Sequence, residues 1–272
     1  GMMRGLWRKT LLETWVQLLL FGLALFLVPA LLTMLLPQLE KGLGQVLGAF
    51  PFMRDLIQAL LGEDLGATIN AQNLQAIIWV HPSVLALLWA QEIVFCTRVP
   101  PGEIDRGTID ILLSWPVSRR KIFCAETIIW LTTGVGLCLL MWAGHLTARQ
   151  FVSSSAPTSP WRVLIVLANL YCLYVAVGGI ALAISAASNQ RGRAMATVFG
   201  LVLASFLLNF LVQFWQAIAG LAPLGVLHYY RPAAILATGA VPVADMVILA
   251  SVGAVAWVAA LEVFARRSIC TV

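Results

Sequence analysis

One stretch of the chain differs in charge density from everything around it. Residues 98–126 read RVPPGEIDRGTIDILLSWPVSRRKIFCAE. Glu103, Asp105, Arg106 and Asp110 interleave with Ile104, Ile109, Ile111, Leu112 and Leu113. Wound as a short helix over 104–115, ending at Trp115, these residues set charges on one side and aliphatics on the other. Pro100, Pro101 and Gly102 end the preceding element, because proline cannot continue a helix and glycine relaxes the turn. Pro116 stops the short helix, and Ser118 with Arg119, Arg120 and Lys121 leads on as an interfacial anchor. The chemistry available to such a segment is recognition of another protein through ion pairs and apolar contacts.

No constellation for bond-making chemistry competes with it. There is no G-x-x-x-x-G-K-[ST] to cradle a nucleotide phosphate, no G-x-S-x-G, no H-E-x-x-H, and no pair of carboxylates in one apolar run. His81, His145 and His228 lack ligand spacing such as i, i+4. Cys96, Cys124, Cys138, Cys172 and Cys270 form no C-x-x-C, and three of them sit in or beside apolar runs, where cysteine behaves as a small hydrophobe. The expectation is a chain that is not an enzyme, with no disulfide, no metal and no cofactor of its own.

The elements that position the segment follow from composition. Of 272 residues, 61% are hydrophobic and 11% charged, with mean hydropathy +0.92. A soluble domain runs about 45–50% apolar and about 25% charged. The class is therefore an all-α integral membrane protein, and the excess of basic residues reads as membrane orientation rather than nucleic-acid binding. Six runs of about 20 residues give spans at 16–36, 76–95, 127–146, 163–187, 195–219 and 243–264. Residues 3–15, with Leu6, Trp7, Leu11 and Leu12 beside Arg4, Arg8, Lys9 and Glu13, read as an amphipathic helix along the interface. The connection 37–75 carries a second amphipathic helix over 50–61. Residues 220–242, broken by Pro223, Pro232 and Pro242, are too interrupted to span and are expected to dip in and return against protein. The whole is one domain without repeats.

With the N-terminus inside, Arg4, Arg8, Lys9, Arg98, Arg106, Arg119, Arg120, Lys121, Arg191, Arg193, Arg266 and Arg267 fall on the inner side. Lys41, Arg54, Arg149, Arg162 and Arg231 fall outside. That asymmetry places both termini and the 98–126 segment in the cytoplasm.

At this segment the sequence resembles the permease subunits of type-2 ATP-binding cassette (ABC) transporters. Their inner loop carries acidic residues, Arg-Gly-Thr, a Leu-rich turn and Pro-Val-Ser-Arg. Here these are Glu103 and Asp105, Arg106-Gly107-Thr108, Ile109 to Leu113, and Pro116-Val117-Ser118-Arg119. Residues 229–236, Tyr-Tyr-Arg-Pro-Ala-Ala-Ile-Leu, also look like the family's pattern, while Trp115 stands where a small or aliphatic residue is commoner. The resemblance implies a coupling helix that docks on a separate ATPase, with ATP and Mg bound by that partner. It further implies two ATPase subunits and a second permease copy, with a homodimer preferred. Gly107 would permit close backbone approach, and Glu103, Asp105, Arg106 and Asp110 would pair with charges on the ATPase. An LSGGQ-like signature is absent from this chain. The implied activity is ATP-driven transport, with export of an amphipathic or hydrophobic substrate across an inner (plasma) membrane. Two other classes stay open, a secondary transporter or channel and a membrane assembly factor without transport.

Within the spans, Glu92 is the one carboxylate well inside an apolar run, and intramembrane acids are functional candidates. It lies about one turn from the inner end, within reach of water or Arg98. Asn169, Asn209, Gln213 and Gln216 either line a substrate route or hydrogen-bond neighbouring helices. Asp245 and Glu126 open their helices, where acids complement the dipole, and Glu262 and Arg266 form an i, i+4 pair. Gly178, Gly179, Ala183 and Ala187, like Ala250, Gly253 and Ala254, permit close helix packing.

Overall fold

The computed structural model describes residues 2–49, 57, 71–114, 117–152 and 159–267. Among them all regular structure is helical. The helices are α1 (Met2–Ala49), α2 (Ala71–Val80), α3 (Pro82–Cys96), α4 (Glu103–Asp105), α5 (Ile109–Ser114), α6 (Arg119–Arg149), α7 (Pro160–Ala187), α8 (Arg191–Phe214), α9 (Pro232–Thr238) and α10 (Val243–Arg266). Six stretches are long and apolar enough to cross a membrane: Trp7–Gln38, Leu74–Cys96, Arg119–Arg149, Pro160–Ala187, Arg191–Phe214 and Val243–Arg266. Hydrocarbon offers backbone groups no water, so each run closes its hydrogen bonds within itself as a helix.

Several boundaries differ from those read off the sequence. No break separates 3–15 from 16–36, because α1 is one helix from Met2 to Ala49 and runs through Pro29 and Pro37. It extends into the stretch read as an outer connection. The amphipathic helix expected over 50–61 lies, but for Ile57, outside the described residues. The second crossing is two helices, because Pro82 has no N–H to continue the first; the His81 ring accepts from Ser83 N–H and caps the restart. The fifth crossing ends at Phe214 rather than 219, and Trp215 leaves helical geometry before short 3-10 turns at Gln216–Leu224 and Val226–Tyr229.

Glycines set the closest helix contacts. On α7, a Cβ at Gly179 would strike the backbone of Gly253 on α10, and one at Gly144 on α6 would strike the Phe26 backbone of α1. Only glycine lets the backbones approach that closely. Across its apolar window α7 is 67% buried, whereas α8 is 11% buried. The interrupted segment after α8 packs inward through Leu227, Tyr230, Ile235 and Leu236, and the Tyr230 hydroxyl donates to Trp79 O at 3.0 Å.

Candidate functional site

The segment joining the second and third crossings begins with a wide turn at Arg98–Gly102, where the Val99–Pro100 bond is cis. The helix expected over 104–115 is two pieces, α4 and α5, parted at Arg106 and Gly107. Gly107 has φ +68°, a left-handed conformation that side chains with a Cβ adopt only at a cost. A Cβ there would meet nothing within 4 Å among the described residues, so conformation, not crowding by them, asks for glycine. Trp115 and Pro116 lie outside the described residues.

The charges do not all face outward. The side chain of Glu103 is 2% exposed. It accepts from Lys9 Nζ at 3.0 Å, from Arg106 Nη2 at 3.1 Å and from the Thr108 hydroxyl. Burial by itself raises the Glu103 pKa, but the Thr108 hydroxyl and the Lys9 and Arg106 cations outweigh it and hold the carboxyl below its ordinary value. Asp105 accepts from the backbone N–H of Arg191 at 2.8 Å. Glu103 and Asp105 are therefore engaged inside this chain. α1 and α8 come close enough to claim one oxygen of each, with Glu103 buried and Asp105 still exposed.

A second cluster lies beside this one. Arg98, 5% exposed, donates to Glu13, to Glu126 and to the Thr10 hydroxyl. Lys9 also lies 3.5 Å from Glu13, and Thr10 donates to Glu126 at 2.6 Å. Arg98 thus joins α1 and α6 to the start of the segment. Its guanidinium suits the task, since a planar fork can serve two carboxylates at once. Further on, the Ser185 hydroxyl of α7 donates to Val99 O at 3.2 Å, and Arg191 Nη2 of α8 reaches Val94 O of α3 at 2.9 Å. Five membrane-crossing elements, α1, α3, α6, α7 and α8, converge here.

Asp105, Arg106 and Gly107 are exposed at the junction of the two helical pieces. On α5, Ile109 and Leu112 are buried, whereas Asp110 is exposed and Ile111 is 62% exposed. Arg106 keeps 46% of its side chain accessible. Between α1 and α5 lies a cleft of about 160 Å³ lined by Lys9, Glu13, Glu103, Arg106, Thr108 and Ile111. Ser118 caps α6, its side chain accepting from Lys121 N–H, and Arg119 donates to Arg267 O. Leu113 lies on α5.

The residues read as a possible transport route, Glu92, Asn169, Asn209 and Gln213, sit on α3, α7 and α8. Glu92 is fully buried and accepts from Trp130 Nε1 at 3.2 Å beside Gly178. It does not pair with Arg98, which Glu13 and Glu126 occupy. Asn169 donates to Tyr229 O and accepts from Arg231 N–H, both at 3.2 Å, pinning the interrupted segment to α7. On α8, Asn209 is half-buried and Gln213 exposed. Glu262 binds Arg266 as expected, at 2.8 Å, and Arg120 as well, also at 2.8 Å. Asp245 lies 3.5 Å from Arg231. An apolar groove of about 230 Å³ separates α3 from α8, lined by Leu85, Trp89, Ile93, Phe199, Val202 and Phe206 among others.

Sequence reasoning passed over Lys9, Thr10, Glu13, Arg98, Ser185 and Arg191 as parts of this site. Lys9 and Glu13 carried a faint signal in their i, i+4 spacing. Arg191 carried none, since its partner is 86 residues away.

The chain matches the model of a family described as ABC-2 family transporter protein over residues 7–268, nearly its whole length. No curated protein matches it.

Proposed function

The chain belongs to the ABC-2 transporter family, and from that premise we propose that it is the permease subunit of an ATP-driven exporter. Family membership makes it a membrane subunit of an ABC transporter and implies an ATPase partner. In our reading, residues 98–121 are where that partner docks, in the cytoplasm with both termini. The observation that carries this is the hub geometry. One exposed patch, Arg106, Asp110 and Ile111, stands on a segment that continues α3 and is bonded to four more crossing elements, α1, α6, α7 and α8. A push on that patch reaches five of the six crossings.

The complex is read as two permease copies, preferably identical, with two ATPase subunits that bind ATP and Mg. The surrounding membrane is an inner (plasma) membrane. An amphipathic or hydrophobic substrate fits the apolar groove between α3 and α8 and the scarcity of charge within the spans. Co-purification in mild detergent from the native host tests the reading. An ABC-type ATPase near equal stoichiometry, lost on scrambling Arg106, Asp110 and Ile111, is the expected result. If no ATPase appears and none is stimulated by the reconstituted chain, the reading fails.

A further inference from the structure

The start of α8 is held by a residue of the docking segment. A helix leaves its first N–H groups without partners inside the helix, and a carboxylate oxygen placed there satisfies one while complementing the helix dipole. The residue that ordinarily does this is the N-cap itself, but Gln190 makes no side-chain cap bond. Asp105 supplies the oxygen instead, from 86 residues away, at 2.8 Å from Arg191 N. The attachment is two-sided. The Arg191 side chain passes Gly102, where a Cβ would meet its Cδ at 3.2 Å, to reach Val94 O at the end of α3.

Beyond its first half, α8 buries little against its own chain. Its buried residues are Ala194, Val198 and Val202, all in the half nearest this attachment. From Leu203 to Phe214 no residue is buried. A stiff helix tilts with the end at which it is attached, and α8 forms one wall of the apolar groove whose other wall is α3.

We propose that Asp105 is a positioning residue that couples the docking segment to α8, so that movement of the segment swings α8 against α3 and changes the width of the groove. This rests on the permease reading above. It differs from the family expectation in mechanism, because Asp105 acts through an acceptor oxygen on its own chain and not through its charge on a partner.

The experiment compares Asp105→Ala with Asp105→Asn in the full chain with its ATPase. Asparagine keeps an acceptor oxygen and caps as well as aspartate, yet has no charge. The expected result is that Asp105→Ala retains the ATPase and ATP hydrolysis but loses transport, and that Asp105→Asn restores transport. Spin labels at Ser114 and Thr197 should keep one distance through the nucleotide cycle in the wild type and Asp105→Asn, and lose that correlation in Asp105→Ala. Hydrogen exchange on the chain alone reads the cap without any ATPase. The first-turn amides of α8 should exchange about fivefold faster in Asp105→Ala, with α7 unchanged. Equal defects in both variants, or wild-type transport in Asp105→Ala, overturn the proposal. Normal first-turn exchange in Asp105→Ala removes the cap itself. If the wild type binds no ATPase, the permease reading fails, and exchange still decides the cap.

Discussion

The Lys9 ammonium meets the Glu103 carboxylate at 3.0 Å, so the first helix is fastened to the segment between the second and third crossings. The Glu103 pKa lies below its ordinary value, and the sign of the pH dependence follows. The stability this carboxylate contributes is fully present above the unfolded pKa of glutamate and is lost as pH falls through the lower folded value. Glu103→Gln should therefore be less stable than the wild type near neutrality, by about 1–2 kcal/mol for a charge-assisted bond with one partly exposed partner. The gap should close in acid. Thermal melts in detergent at neutral and acidic pH check this; a gap independent of pH refutes it.

Arg98 has a larger stake. Removing it takes away the only cation paired with Glu126 among the described residues and leaves that carboxylate the Thr10 hydroxyl, while Glu13 keeps Lys9. Breaking a buried ion pair by deleting one partner destabilises by about 3–5 kcal/mol. Arg98→Ala should lower the unfolding midpoint well beyond Arg98→Lys, which keeps the charge but not the fork. Adding Glu126→Gln to Arg98→Ala should recover part of the loss, because one unpaired carboxylate is gone. Additive effects in that double variant would contradict the shared network.

These two clusters show which part of the molecule was legible in the sequence. Six crossings, the interrupted segment after the fifth and the charged connection after the second all follow from local apolar runs, prolines and glycines. The small residues Gly179 and Gly253 were readable as packing positions because close approach needs glycine. The inward turn of Glu103 was not legible. Local pattern made it one of four charges on an amphipathic face, and only the arrival of Lys9 from the far end of the chain decides that it points in. The boundary at residue 15 failed for a related reason. A charge pattern suited to an interface does not by itself break a helix, and nothing between Trp15 and Val16 removes a backbone donor.

Glu92 offers a test of a buried acid. Its contact with Trp130 Nε1 needs only an acceptor, which glutamine supplies. Glu92→Gln should match the wild type in expression, stability and transport, whereas Glu92→Leu should be destabilised by about 1–3 kcal/mol for the orphaned indole N–H. Gly178→Ala should be worse than a usual small-to-large change, because its Cβ would overlap both Trp130 and Glu92. Loss of transport in a normally expressed Glu92→Gln would assign the carboxyl a function beyond this contact.

Gly107 separates two reasons for a glycine. Its φ of +68°, with no described atom within 4 Å of its missing Cβ, makes the requirement conformational. Asparagine tolerates that region better than alanine. The order of thermal stability should therefore be glycine, then asparagine, then alanine, with alanine down by about 1–2 kcal/mol. A docked ATPase adds the second reason. If its surface lies against the backbone here, affinity depends on bulk, and asparagine should bind more weakly than alanine. Melting curves of the free chain and affinities of the complex, measured on the same three proteins, should thus rank the two variants in opposite orders. The same order in both would mean that the ATPase does not approach residue 107, and that docking is confined to Asp110, Ile111 and the exposed part of Arg106.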